Sequence, residues 1–178
     1  MYQFADNNDN KETVFTIKVQ DLKFGVGALR ELGPDAVALK MERIALFLDG
    51  NIQDGEPIHR VKKSLKSSGV DFEIYDKAVC EPNTTSCMAA AEFVKNGNFD
   101  GFVSIGGGSV MDTAKAANLL SCHGGQILDY VNAPIGQAKK VPGPLMPHIA
   151  CPSTSGTGAE TTGIVVLDIE EVGLKSGI

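Results

Sequence analysis

The sequence predicts an α/β domain of the Rossmann-like, doubly wound kind: a mostly parallel sheet with helices on both faces. Three observations carry that expectation. Short β-branched or apolar runs alternate with helical patterns, as strand–helix–strand units require. Several of these runs are apolar throughout rather than alternating, as strands covered on both faces are. Capping residues, Gly and Pro fall at the joins. The 178 residues suit a single domain able to bury its core without disulfides or a structural metal, so residues 1–178 are read as one domain.

The expected strands are VFTIKV (14–19), RIALFL (43–48), FEIY (72–75), GFVSI (101–105), HIAC (148–151) and GIVVL (163–167). An antiparallel pair within residues 13–25 is expected at one edge. A first helix spans 54–68: Pro57 suits its opening turn, Ile58, Val61 and Leu65 share a face, and Gly69 suits the position after the C-cap. That leaves Lys62, Lys63 and Lys66 on a solvated side. A second helix starts at Asn83 or Thr84, both able to cap it, and runs to Gly97. A third follows Gly108 to about Leu120. Residues 121–147 are rich in Gly and Pro and read as a functional loop or a loose surface excursion.

Charge and composition narrow the partners. Sixteen Lys plus Arg against 22 Asp plus Glu give a net charge of -6, which argues against nucleic acid or an anionic membrane as partner. No apolar run approaches the ~20 residues of a membrane span. The opening MYQFADNNDNKE resembles neither a secretory signal nor a transit peptide. The four cysteines show no CxxC spacing and read as reduced thiols, so the expected compartment is cytoplasmic.

The most informative segment is GFVSIGGGSVMDTAKAANLL. A buried strand runs into Gly106, Gly107, Gly108 and Ser109, and a helix of small residues follows at once. A helix start offers unpaired N–H donors and about half a positive charge. Glycine lets that backbone approach an anion, and Ser109 adds a hydroxyl, so a diphosphate is the natural guest. The string is not GxGxxG, since Met111 occupies the third glycine position, and no GK[ST] follows.

The run Gly106 to Lys115, GGGSxxDxAK, resembles the iron-containing (group III) alcohol dehydrogenases, a family related in fold to dehydroquinate synthase and glycerol dehydrogenase. The likeness extends from about Phe24 to Ile178. Within the family, DYVNAPIG (129–136) and CPSTSGTGAETTG (151–163) look closest to the hydroxyacid-oxoacid transhydrogenases. The resemblance implies a dehydroquinate synthase-like N-terminal domain binding NAD, with NADP disfavoured. It also implies Fe(II) or another divalent metal in the complete enzyme, held in a following helical domain that this chain lacks. The chain alone is then expected to be inactive.

The other cofactor positions follow from the same likeness. Asp49, at the end of RIALFL, suits ribose hydroxyls and would repel a 2′-phosphate, although here it precedes the glycine loop. Asn83, in EPN, lines the family's cofactor site, and helix capping accounts for it equally well. Ser153, Thr154 and Thr157 lie in a hydroxyl-rich loop resembling the family's PTTxGTGSE; Ser153 replaces a threonine and Ala159 a serine. Lys175 falls where the family places a lysine toward the nicotinamide ribose. Asp112 and Lys115 are spaced to pair along the helix, with Asp112 read as capping and loop support rather than a ligand contact.

His59, His123 and His148 share no metal-ligand spacing, no GxSxG surrounds a serine, and Cys151 lacks an obvious base. The family resemblance implies the NAD-binding half of an oxidoreductase that transfers hydride between nicotinamide and a small alcohol or hydroxy acid, assembled as a homodimer. Two other readings stay open. One is a non-catalytic nucleotide-binding or interaction module. The other is an enzyme like dehydroquinate synthase or glycerol dehydrogenase.

Overall fold

The computed structural model describes residues 20–178. The expected strand 14–19 lies outside the described residues, and residues 20–25 carry no strand.

Four parallel strands make the sheet: β1 (Arg43–Leu48), β2 (Asp71–Tyr75), β3 (Gly101–Gly106) and β4 (His148–Pro152). Their order is β2-β1-β3-β4. Ile44 to Leu48 of β1 and all of β3 are buried, which is why these runs read as continuously apolar rather than alternating.

Helices α1 (Leu32–Ala38) and α2 (Glu56–Ser67) cover one face. Leu32, Ala36, Ile58, Val61 and Leu65 pack there against Ile44, Leu46, Val103 and Ile105. Helices α3 (Thr84–Gly97) and α4 (Gly108–His123) cover the other, where Ala90, Val94, Ala114 and Ala117 meet Phe47 and Phe102. Small residues on α3 and α4 let the two helices approach closely. An aromatic group of Phe47, Tyr75, Phe93, Phe99 and Phe102 fills the space beside them.

The three expected helices form, α2 starting at Glu56 rather than Asp54 and α4 running past Leu120 to His123. Ile58, Val61 and Leu65 are buried on α2, and Gly69 takes the left-handed conformation (φ +73) that ends it. On α2, Lys63 and Lys66 are exposed and Lys62 half-buried. Helix α1 was not expected. Its sequence LGPDAVA is short, and Pro34 reads as a breaker although it falls in the first turn, where no intrahelical N–H is needed. Gly33 seats α1 on α2: a Cβ there would stand 2.3 Å from Ser64 O.

The last expected strand differs most. GIVVL was assigned to the sheet; instead β5 (Val166–Ile169) pairs antiparallel with β6 (Leu174–Gly177) in a separate hairpin. Its Leu167 and Ile169 pack on Cys87, Ala91, Ala116 and Leu120, the outer sides of α3 and α4. The short α5 (Ile127–Tyr130) joins that third layer. Two inward residues of β5 suffice to seat the hairpin on the helices, so an apolar run alone does not identify the surface that receives it.

Candidate cofactor site

The strand order turns at β1. The chain steps outward from β1 to β2, then crosses back to β3 on the other side. In open α/β sheets, ligands bind outside the carboxyl ends of the strands at such a turn. Leu48 pairs with Ile105, so Asp49 and the Gly106–Ser109 turn emerge side by side from neighbouring strands.

None of Gly106, Gly107 and Gly108 has a positive φ, so their value lies in room rather than backbone twist. A Cβ on Gly107 would stand 3.3 Å from Thr154 Oγ1, and one on Gly108 3.1 Å from the Thr157 Cβ. The hydroxyl loop thus lies directly against the glycine turn, and Ser153 N donates to Gly106 O at 2.8 Å. Gly106 is required by packing, since its Cβ would meet Val110 Cγ2 at 2.6 Å. At the helix start, Val110 N and Met111 N both donate to Gly107 O. The N–H groups of Gly108 and Ser109 precede any intrahelical acceptor and are available to a ligand.

A cleft of about 430 Å³ opens here, lined among others by Gly108, Ser109, Asp112, Thr157 and Lys175. Gly107, Ser153 and Thr154 adjoin it through the contacts just given. Asp49 and Asn83 lie off its lining. Asp49 Oδ1 accepts from Asn51 N and Asn51 Nδ2, both at 2.9 Å. Asn83 Oδ1 accepts from Ser86 N at 2.7 Å while Ser86 Oγ accepts from Asn83 N, a reciprocal cap on α3. Its capping role is therefore realised. Ser153, Thr154 and Thr157 are exposed.

Lys175 stands across the cleft from the helix start, its Nζ 2.7 Å from Asp168 Oδ1 and 3.7 Å from Glu81 Oε2. The Asp168 bond raises its pKa, so it stays a cation. Glu81, which no motif singles out, lines the same cleft and donates its N–H to Ser109 Oγ at 3.3 Å. Its signal was faint: an exposed acid in a loop resembles any solvated residue.

Asp112 does not cap α4, since Gly107 occupies that position. It sits in the cleft wall, where Oδ2 accepts from Val166 N at 3.0 Å and Oδ1 pairs with Lys115 Nζ at 2.8 Å. The loop-support half of its expected role holds; the capping half does not. Cys151 is no nucleophile: burial pushes its thiol up to about 11, well above neutral pH. Among the described residues, no three His, Cys, Asp or Glu side chains gather in a way that could hold a metal ion. The described residues therefore do not fit a metal.

A parallel sheet wound on both faces, with a glycine turn and helix start at its crossover, defines a doubly wound α/β domain. Residues 20–178 match the family described as iron-containing alcohol dehydrogenase. The chain belongs to that family, whose characterised members are oxidoreductases. It is 45% identical over 165 residues to "Hydroxyacid-oxoacid transhydrogenase, mitochondrial" of Rattus norvegicus, covering 92% of this chain and 35% of that protein. The chain thus spans about a third of the length of the curated relatives it matches. In fold it is similar to a 1,3-propanediol oxidoreductase (TM-score 0.83, 24% identity, 93% of this chain and 42% of that one). It is also similar to the sulfoacetaldehyde reductase of Bifidobacterium kashiwanohense, solved in complex with NAD+ (TM-score 0.77, 28% identity, 88% and 40%).

Proposed function

We propose that this chain binds NAD(H) for an oxidoreductase that moves hydride between nicotinamide and an alcohol or hydroxy acid. The observation that carries the reading is the close approach of Thr154 and Thr157 to Gly107 and Gly108. It makes a cradle of bare backbone and hydroxyls at a helix start, suited to a diphosphate. In this reading Gly108 N–H, Ser109 N–H and the loop hydroxyls bind the diphosphate, Asp49 accepts from the adenosine ribose, and Lys175 faces the nicotinamide end. Asn83 contributes through its amide while it caps α3. NAD is favoured over NADP because Asp49 opposes a 2′-phosphate.

The similarity to hydroxyacid-oxoacid transhydrogenases suggests a hydroxy acid and an oxo acid as the substrate pair, and the proposed assembly is a homodimer. Four free cysteines, two of them with burial-raised thiols, suit a reducing compartment. The expected cytosol and the mitochondrion of the relatives both qualify. Among the described residues no helix is long and apolar enough to cross a membrane.

Calorimetric titration with NAD tests the cradle. Gly107→Val places a branched side chain against Thr154 and is expected to weaken NAD at least tenfold while the chain stays folded. Unchanged affinity would return the GGGS run to a plain turn.

A further inference from the structure

Lys115 lies one turn beyond Asp112 on α4, and only 13% of its side chain is exposed. Its ammonium makes more contacts than the pairing expected from sequence. Nζ donates to Ala159 O at 3.0 Å, Ile164 O at 2.5 Å and, at longer range, Thr162 O at 3.4 Å. The three carbonyls belong to the end of the hydroxyl loop and the residues that follow it. On the same turn of α4, Asp112 Oδ2 holds Val166 N, the first residue of β5.

We propose that Asp112 and Lys115 are positioning residues for the cofactor cradle: together they clamp residues 159–166 to the helix whose first turn faces the diphosphate. The inference rests on the reading of that turn as a cofactor site. The path of the chain gives the reason for a clamp. The loop leaves β4 at Pro152, passes Gly107 and Gly108 with exposed Ser153, Thr154 and Thr157, and must then be fixed at its far end. Its near end is tied by Ser153 N to Gly106 O. Beyond Gly158, residues 159–164 lie outside both sheets, before Val165 pairs with Ile178, and Lys115 supplies the donors that carbonyls there would otherwise seek from water. Lysine suits the task because a compact ammonium with three donors can serve several acceptors spread around one point.

The pair also settles the charge of the cleft wall. Asp112, at 10% exposure, is a carboxylate in the lining of a site read as binding an anion. Lys115 cancels it in place. Neither residue is required to touch the cofactor.

The test uses the full chain, with NAD as the probe. Affinity is measured by calorimetry well below the melting temperature, together with the rate of limited proteolysis within 153–165. Lys115→Met is expected to weaken NAD about tenfold and to speed cleavage of the segment without ligand. Because that change leaves Asp112 unpaired, the double variant Asp112→Asn/Lys115→Met is measured beside it. It removes the stray charge but not the loosening, so weak binding and fast cleavage are expected to persist. Three outcomes overturn the proposal. They are restored affinity in the double variant, a lowered melting temperature with unchanged affinity, and unchanged cleavage in both variants. If instead Gly107→Val binds NAD normally, the cofactor reading fails; the cleavage rates still report on the clamp.

Discussion

Asp49 carries both of its hydrogen bonds on one oxygen, Oδ1, through the short turn that it caps. The turn fixes the carboxylate at the end of β1, with Oδ2 left for the ribose contact proposed above. Asp49→Gly is expected to narrow the preference for NAD over NADP by about tenfold, or ~1.4 kcal/mol, read from the two dissociation constants. His148 makes a different prediction. Its ring meets Ser104 Oγ at 2.8 Å beside Phe102, and burial lowers its pKa to about 4. The unfolded chain takes up a proton near pH 6.5 that the folded chain refuses. Stability is therefore fully present above about pH 6.5 and is lost as the pH falls toward 4, by up to about 3 kcal/mol. Denaturant titrations from pH 7.5 to 4.5 should show that slope, and His148→Gln should flatten it. The sequence placed His148 at the start of a buried strand but not beside Ser104, because pairing across β3 and β4 depends on register.

The second face of the sheet is organised by α3, whose start is tied twice. The Asn83–Ser86 box closes it from its own chain, and Glu170, in the hairpin turn, accepts from Thr84 Oγ1, Thr85 N and Thr85 Oγ1. Substituting serine separates the two roles given to Asn83. Asn83→Ala should cost about 1 kcal/mol through the lost cap; Asn83→Ser should keep most of the stability yet weaken NAD, if the amide meets the cofactor. Equal NAD affinity in both variants and the parent would leave capping as its whole role. Helices α2, α3 and α4 were legible because each carries a cap and an apolar face in its own residues. Helix α1 was not, for it is seven residues long and is held by contacts to α2 that local pattern does not encode. The hairpin was half legible. Its β5 reads as apolar, while β6, the LKSG run, is exposed or half-buried along its length and is held by pairing to β5.

At the scale of the whole molecule, the α/β class and the glycine turn could be read from the chain, because both are written in contiguous residues. The order β2-β1-β3-β4 could not, and neither could the placing of the hydroxyl loop against Gly107 and Gly108. Both depend on elements that meet only in three dimensions. The same holds for Lys115: the string GGGSxxDxAK announced a phosphate turn, yet its last residue faces carbonyls more than forty positions away.

Those distances along the chain bear on the order of folding. Asp112 reaches Val166 across 54 residues, and Thr84 reaches Glu170 across 86. Contacts that close such long loops form late, after the local strand–helix units have collapsed. The hairpin, and with it one wall of the cleft, is then expected among the later parts of the domain to dock. A ligand that requires both walls finds no partner in the folding transition state. It should leave the refolding rate nearly unchanged and slow unfolding instead, so NAD would act as a brake on the opening of a finished fold.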